Sequence, residues 1–229
     1  VAACLRDSGA RFAFLDNFDE IASALLRRAA FGKMPPAELR RRFGGIYLRP
    51  RYLAGCGCSP NLWMKALGFA HLLRGGWLNQ LLLLDPYLAA DVKRRWPAAP
   101  VGHLPDPYPE NFTADRAESR RAFALSEGRR VFLFYGGAYR RKGLPLTVEA
   151  MLGLPEDSSA LLLCAGQRPA DDPSAEGLAE LVRRGRAVVV NRYVTAEEEK
   201  QLFAACDVVL LPYIGHFGSS GLQVRAAGA

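Results

Sequence analysis

The sequence predicts an α/β protein whose parallel sheets lie in two units, and three observations carry that expectation. Short apolar runs alternate with amphipathic stretches along the chain. The runs of the second half are apolar almost throughout, as strands covered on both faces must be. Leu104-Pro105-Asp106-Pro107-Tyr108-Pro109 then interrupts the pattern, because three prolines in five residues bar helix and most sheet pairing. That semi-rigid segment sets the expected units at 1–105 and 106–229.

In the first unit, Arg11–Leu15 reads as a short strand and Asp19–Phe31 as a helix with Ile21, Leu25 and Leu26 on one face. Pro35-Pro36 opens a short basic helix. Gly44–Gly57 reads as irregular and aromatic. Ser59 caps a helix that Pro60 begins, that runs to about Leu73, and that Gly75-Gly76 stops. Gln80–Leu84 is a buried strand, Tyr87–Trp96 a helix, and a weak strand follows near Val101. In the second unit, Thr113 caps a helix over Ala114–Leu125. Strands then fall at Val131–Tyr135, Ala160–Ala165, Ala187–Val190 and Asp207–Leu211. The intervening helices are Leu144–Leu152, Leu178–Arg184 and a helix to Ala205 opened by a Thr195/Glu198 capping box. Gly221 starts a last helix. Ligands of such sheets bind beyond the carboxyl ends of the strands, which selects the loops 136–143, 166–169, 191–195 and 212–221.

Composition narrows the function classes. The 229 residues are 50% hydrophobic and 23% charged, an ordinary globular balance. The apolar block Leu81–Leu84 ends at Asp85-Pro86, far short of a membrane span. The five cysteines are Cys4, Cys56, Cys58, Cys164 and Cys206; Cys164 and Cys206 read as buried thiols. Cys56-Gly57-Cys58 has no second ligand pair at zinc spacing, so no metal site is expected. The net charge is +7, with arginines clustered between Arg27 and Arg51. They suit an anionic partner such as an acidic membrane surface, or equally a solvated face. No nucleic-acid-binding signature accompanies them.

Two constellations carry chemistry. Phe134-Tyr135-Gly136-Gly137-Ala138-Tyr139-Arg140-Arg141-Lys142-Gly143 ends a strand and precedes a helix. Glycines admit close backbone approach, and three cations at a helix start suit an anion such as a diphosphate. A surface loop of solvated charges fits the same residues. Leu210–Gly221 is the second, with Ser219 and Ser220 able to cap the final helix and His216 at the expected mouth of the sheet.

In order and spacing, YGGAYRRKG, LLLCAG, VNRYVTAEEEKQLFAACDVVLLPY and HFGSSGLQVRAAGA resemble the C-terminal domain of group 1 glycosyltransferases over about Asp106–Ala229. The resemblance implies two facing Rossmann-like domains of the GT-B type, with an acceptor-side unit at 1–105 and a nucleotide-sugar-binding unit at 106–229. It implies a nucleoside-diphosphate sugar as donor, no further cofactor, a saccharide or lipid-linked acceptor, and transfer mostly with retention. It also implies a cytoplasmic protein, compatible with the inner face of a membrane. Lys142 matches the family lysine on the donor diphosphate, with Arg141 beside it, and Gly136 matches the glycine ending the first donor-domain strand. Gly137 stands where an arginine usually follows, and Arg140 or Arg141 is the candidate substitute. Tyr193 and Val194 match the loop near the base; Ser219, Ser220 and Gly221 match the turn beside the phosphates. With Lys142 and Arg141, His216 completes the catalytic candidates.

The family's Glu-x7-Glu positions fall on Phe217 and Arg225, neither acidic. Arginine only donates hydrogen bonds, so Arg225 cannot hold ribose hydroxyls as a glutamate does; it suits a phosphate or carboxylate instead. That departure keeps open a non-catalytic member that binds a nucleotide or a partner. By the family's pattern the chain is also expected to be a piece lacking both ends.

Overall fold

The computed structural model describes residues 1–54, 59–107, 112–137, 140–215 and 218–229. The chain divides into two compact units after Asp106. The first holds a parallel four-stranded sheet of β1 (Ala13–Leu15), β2 (Phe43–Tyr47), β3 (Gln80–Leu83) and β4 (Val101–His103), in that spatial order. Its helices are α1 (Ala2–Ser8), α2 (Asp19–Ala30), α3 (Pro60–Arg74) and α4 (Pro86–Arg95). Phe18, Phe43, Tyr47, Tyr52, Phe69 and Trp96 form a continuous chain of ring contacts at centroid distances of 5.3–6.5 Å. Four of these rings lie outside the strands, so the aromatic character of the region supplies core rather than surface.

Several sequence expectations for this unit need correction. The segment expected to be irregular contains β2, a central strand. Gly44 and Gly45 lower strand propensity and hid it. Here they are required, because a Cβ would collide with the carbonyl of Gln80 at Gly44 and of Leu15 at Gly45. The short basic helix after Pro36 is a single 3-10 turn, Ala37–Leu39. Ser59 occupies the cap position of α3 without a side-chain cap bond, and Pro60 alone begins the helix. The cap that forms is Asp85 on α4, whose carboxylate accepts from the amides of Tyr87 (2.9 Å) and Leu88 (3.0 Å). Arg27 and Arg28 close α2 opposite Asp19 and Glu20 in its first turn, which complements the helix dipole.

The second unit contains α5 (Arg116–Ala122), β5 (Arg130–Tyr135), α6 (Leu144–Leu152), β6 (Ala160–Ala165), α7 (Ala175–Arg183), β7 (Ala187–Val190), α8 (Ala196–Ala205), β8 (Val208–Val209) and α9 (Gly221–Gly228). The strands are parallel in the order β7-β6-β5-β8. Side chains alternate across the sheet as the strand repeat demands. Val131, Leu133, Leu161, Leu163 and Ala165 pack with Leu202, Phe203 and Leu222. Phe134, Leu162 and Cys164 pack on the other face with Leu144, Val148, Leu178 and Leu181. Burial of Cys164 pushes its thiol up to about 12, whereas Cys206 is only half-buried.

The helix expected from Thr113 begins later, at Arg116. Asp115 caps it, accepting from the Glu118 amide at 2.7 Å; its carboxylate competes better for the free amides than an exposed hydroxyl three residues from the first turn. The strand expected over Asp207–Leu211 pairs only at Val208–Val209. Asp207 anchors its start. Its amide donates to the Val131 carbonyl (2.8 Å), and its carboxylate accepts from the Val131 amide (2.7 Å), Arg120 (2.8 Å) and Arg116. Burial acts to raise this carboxyl, but the amide and the two guanidiniums outweigh it and hold it below the ordinary carboxylate value. Asp207→Ala leaves three donors without their acceptor and is expected to cost about 1.5–3 kcal/mol, toward the lower end because solvent reaches the arginines. Urea unfolding measures this; an unchanged midpoint would contradict the anchoring role.

Candidate functional site

Parallel strands deliver all their carboxyl ends to one edge, and the order β7-β6-β5-β8 reverses direction between β5 and β8. That switch point is where α/β sheets open a crevice for ligands. A cavity of about 510 Å³ lies along this edge, lined by residues 135–137, 166–169 and 192–194 from the loops after β5, β6 and β7.

Backbone closeness shapes the floor. Gly136 ends β5 at φ 103° and donates to the Ala165 carbonyl at 2.8 Å. Gly166 ends β6 at φ 127°, and a Cβ there would lie 2.6 Å from the Gly136 carbonyl. A Cβ on Gly136 would in turn collide with Nζ of Lys142. The 3-10 turn Arg140–Lys142 thus folds the lysine back onto the end of β5. Gly143 follows at φ 77° as the cap of α6, so close to the Pro212 carbonyl that no side chain fits. The Ile214 amide donates to the Arg141 carbonyl at 2.8 Å, which joins the loops after β5 and β8. Burial lowers the pKa of Lys142, and the neighbouring charge of Arg141 lowers it further.

The other walls are clamped by charge pairs. The Arg168 amide donates to Asn191 (2.9 Å), and its guanidinium to the buried Asp172 (3.2 Å). Arg192 grips Glu198 through two bonds, at 2.9 and 2.5 Å. Glu198 also accepts from the Thr195 amide (2.8 Å), while Thr195 Oγ1 accepts from the Glu198 amide (3.2 Å), completing the capping box. Beside this clamp Tyr193 is 84% exposed at the cavity.

Of the residues singled out from sequence, Gly136, Gly137, Tyr193 and Val194 line the cavity and Lys142 abuts Gly136. Arg140 and Arg141 are not among the lining residues. Ser220 caps α9 by accepting from the Gln223 amide (3.4 Å), and its hydroxyl contacts Tyr213 Oη (3.1 Å); Ser219 precedes that cap and Gly221 opens the helix. Arg225 forms an ion pair with Glu199, Nε to carboxylate oxygen 3.2 Å. His216, Phe217 and the Cys56–Cys58 pair lie outside the described residues. Among the described residues, no three His, Cys, Asp or Glu side chains group as a metal set. Sequence reasoning carried Tyr135 in its first constellation and selected the loops of Arg168 and Arg192, but gave none of the three a role at the cavity they line.

Glu198 titrates at about 2 when folded, against 4.5 ordinarily, chiefly through Arg192 and then the Thr195 amide. A depressed carboxyl stabilises the fold fully above its unfolded pKa and loses that contribution as pH falls through the folded one. The melting-temperature gap between wild type and Glu198→Gln should therefore be widest near neutrality and close between about pH 5 and pH 2. Thermal melts across that range test it, and a constant gap would contradict the clamp.

The family profile "Glycosyl transferases group 1" matches residues 115–229. An uncharacterized glycosyltransferase of Methanocaldococcus jannaschii is 27% identical over 115 residues, which are 50% of this chain and 29% of that protein. Among solved structures, WaaG, a glycosyltransferase involved in lipopolysaccharide biosynthesis, superposes over 98% of this chain and 59% of its own, with 18% identity and a TM-score of 0.66. Sucrose-phosphate synthase from Thermosynechococcus elongatus gives 98%, 55%, 19% and 0.66 in the same order. Anabaena HepE in complex with UDP gives 98%, 60%, 12% and 0.65. The chain spans less than two thirds of each of these relatives. The two parallel four-stranded sheets match the GT-B glycosyltransferase fold. Since the family profile covers half of its length, at the end that carries the cavity, the chain belongs to the group 1 glycosyltransferase family.

Proposed function

We propose that residues 106–229 bind a nucleoside-diphosphate sugar and that residues 1–105 belong to the acceptor side, the protein transferring a hexosyl group to an acceptor hydroxyl with retention. The observation that carries this reading is the Lys142 ammonium, partly desolvated and seated on Gly136 at the switch point beside the cavity. A cation placed there by backbone contacts meets a diphosphate with its position already set, and such preorganised charge counts most in a water-poor site. In the transfer, the acceptor hydroxyl oxygen bonds to the anomeric carbon on the face from which the diphosphate departs. The bond from that carbon to the diphosphate breaks, and the leaving diphosphate oxygen takes the electron pair and then the acceptor's proton. Lys142, with Arg141 and the free amides at the start of α9, stabilises that developing charge; no further cofactor is needed in this scheme. The exposed ring of Tyr193 beside Val194 offers a face for the base. The Anabaena relative, described in complex with UDP and glucose, supports this class of donor.

The acceptor we propose is a saccharide, free or lipid-linked. Among the described residues no helix is long and apolar enough to cross a membrane. The arginines from Arg27 to Arg51 suit peripheral contact with anionic lipid, on the cytoplasmic side in this reading. A second reading, a non-catalytic nucleotide- or partner-binding member, is favoured by Arg225 standing at a family acidic position.

Calorimetry with UDP- and GDP-sugars on the intact protein tests donor binding. Lys142→Ala should weaken the productive donor by roughly tenfold to a hundredfold, the worth of a charged hydrogen bond. Absence of binding by a folded wild type would end the transferase reading. Binding without turnover over a panel of acceptors would favour the second.

A further inference from the structure

The cavity at the carboxyl edge of the second sheet is one-sided in its hydrogen bonding. Among the described residues, Arg168 and Arg192 line it and no acidic side chain does. Arg192 is spent: its guanidinium gives two bonds to Glu198 and a third to the Tyr193 carbonyl at 3.2 Å. Arg168 is not. A guanidinium has five N–H donors, and here one finds an acceptor, Oδ2 of Asp172 at 3.2 Å. Its Nε is buried and meets no acceptor among the described residues. The Arg168 side chain is 15% exposed, whereas that of Asp172 is sealed in at 3%. Asp172 is itself held, accepting through Oδ1 from the Ser174 amide at 2.9 Å. The ion pair therefore restrains a planar fork while leaving most of its donors unused.

Position decides what those donors meet. The strand order β7-β6-β5 places the loop of Arg168 between the loop of Tyr193 and the end of β5 on which Lys142 is seated. The Arg168 amide donates to the side chain of Asn191 at 2.9 Å, which ties its loop to the one that carries Tyr193 and Val194. Arg168 thus belongs to the wall proposed above for the base. A planar donor fork on that wall calls for acceptors at the edge of a ring. Guanine sets O6 and N7 side by side, the commonest partners of an arginine fork, and uracil offers the carbonyl O4. Adenine and cytosine carry an amino group where those carbonyls stand, and donor then faces donor. Gln167, which also lines the cavity, can donate or accept and sets no preference of its own.

We infer that Arg168 selects the base of the donor, admitting a ring with a carbonyl edge and rejecting one with an amino group in its place. The inference rests on the donor-binding reading above. Tyr193 offers a face to any base alike, whereas the fork reads the edge. Guanine and uracil share the required chemistry, and experiment separates them.

The test is calorimetry on the intact protein with GDP, UDP, ADP and CDP, in wild type, Arg168→Gln and Arg168→Lys. Wild type should hold GDP or UDP about tenfold or more tighter than ADP and CDP, the worth of a good arginine–base contact. A preference for GDP that 7-deaza-GDP loses assigns O6 and N7; a preference for UDP over CDP assigns O4. Arg168→Lys keeps a cation for the buried Asp172 but lacks the planar fork, so the four nucleotides should bind it alike. Arg168→Gln should lose the preference too, and Arg168→Lys carries the test should the glutamine variant fail to fold. A purely structural arginine, or one on a phosphate, would instead weaken all four equally in Arg168→Lys and keep the ratios of wild type. That result, or a wild type that binds all four alike, would overturn the base assignment; Lys142→Ala still weakening binding would leave the donor reading standing. Failure of wild type to bind any of the four would remove the donor reading and this inference together.

Discussion

The second unit depends on how closely its backbones approach at the carboxyl edge of the sheet. Gly166 presses on the Gly136 carbonyl, Gly136 leaves room only for the Lys142 ammonium, and Gly143 lies against the Pro212 carbonyl. Each contact excludes even a methyl group, so the loops after β5, β6 and β8 cannot shift independently. This sets the position of Lys142, for which no carboxylate partner is found among the described residues. A lysine fixed by packing keeps its donors available, whereas one fixed by an ion pair has already spent part of its charge.

Three arginines of the second unit follow the opposite arrangement. Arg168, Arg192 and Arg225 are each bound to an acid, Asp172, Glu198 and Glu199 respectively. The pairs stiffen the unit. The two bonds between Arg192 and Glu198 secure the start of α8 and with it the loop carrying Tyr193 and Val194. The net charge of +7 therefore says little about the cavity itself. Electrostatic character there is divided between a partly desolvated lysine against Gly136 and an arginine, Arg168, whose donors its acid leaves mostly unused.

Legibility in the sequence followed the strength of local signals. The strands β5, β6 and β7 were readable because both faces are buried, which makes the run apolar throughout. The Thr195/Glu198 capping box was readable because its spacing is local and its bonds form within one turn. β2 was not: Phe-Gly-Gly-Ile-Tyr has weak strand propensity, and only the approach of Gln80 and Leu15 from neighbouring strands explains its glycines. The cap of α5 went to Asp115 rather than Thr113 for a similar reason. Both residue types can cap, and the tie of Arg116 and Arg120 to Asp207 helps decide where the helix begins.

By itself the sequence determined the α/β class, the break near Asp106, the loops at the carboxyl edge of the second sheet, and the lysine that the family motif carries. These are matters of periodicity, proline and glycine placement, and short-range spacing. Only the tertiary structure decided which side chains meet. Glu199 and Arg225 are 26 positions apart in the chain, and nothing local marks either as the other's partner. They converge because α8 and α9 pack on the same face of the sheet, around Phe203 and Leu222. Pairing across helices is settled by packing geometry, which no single segment encodes.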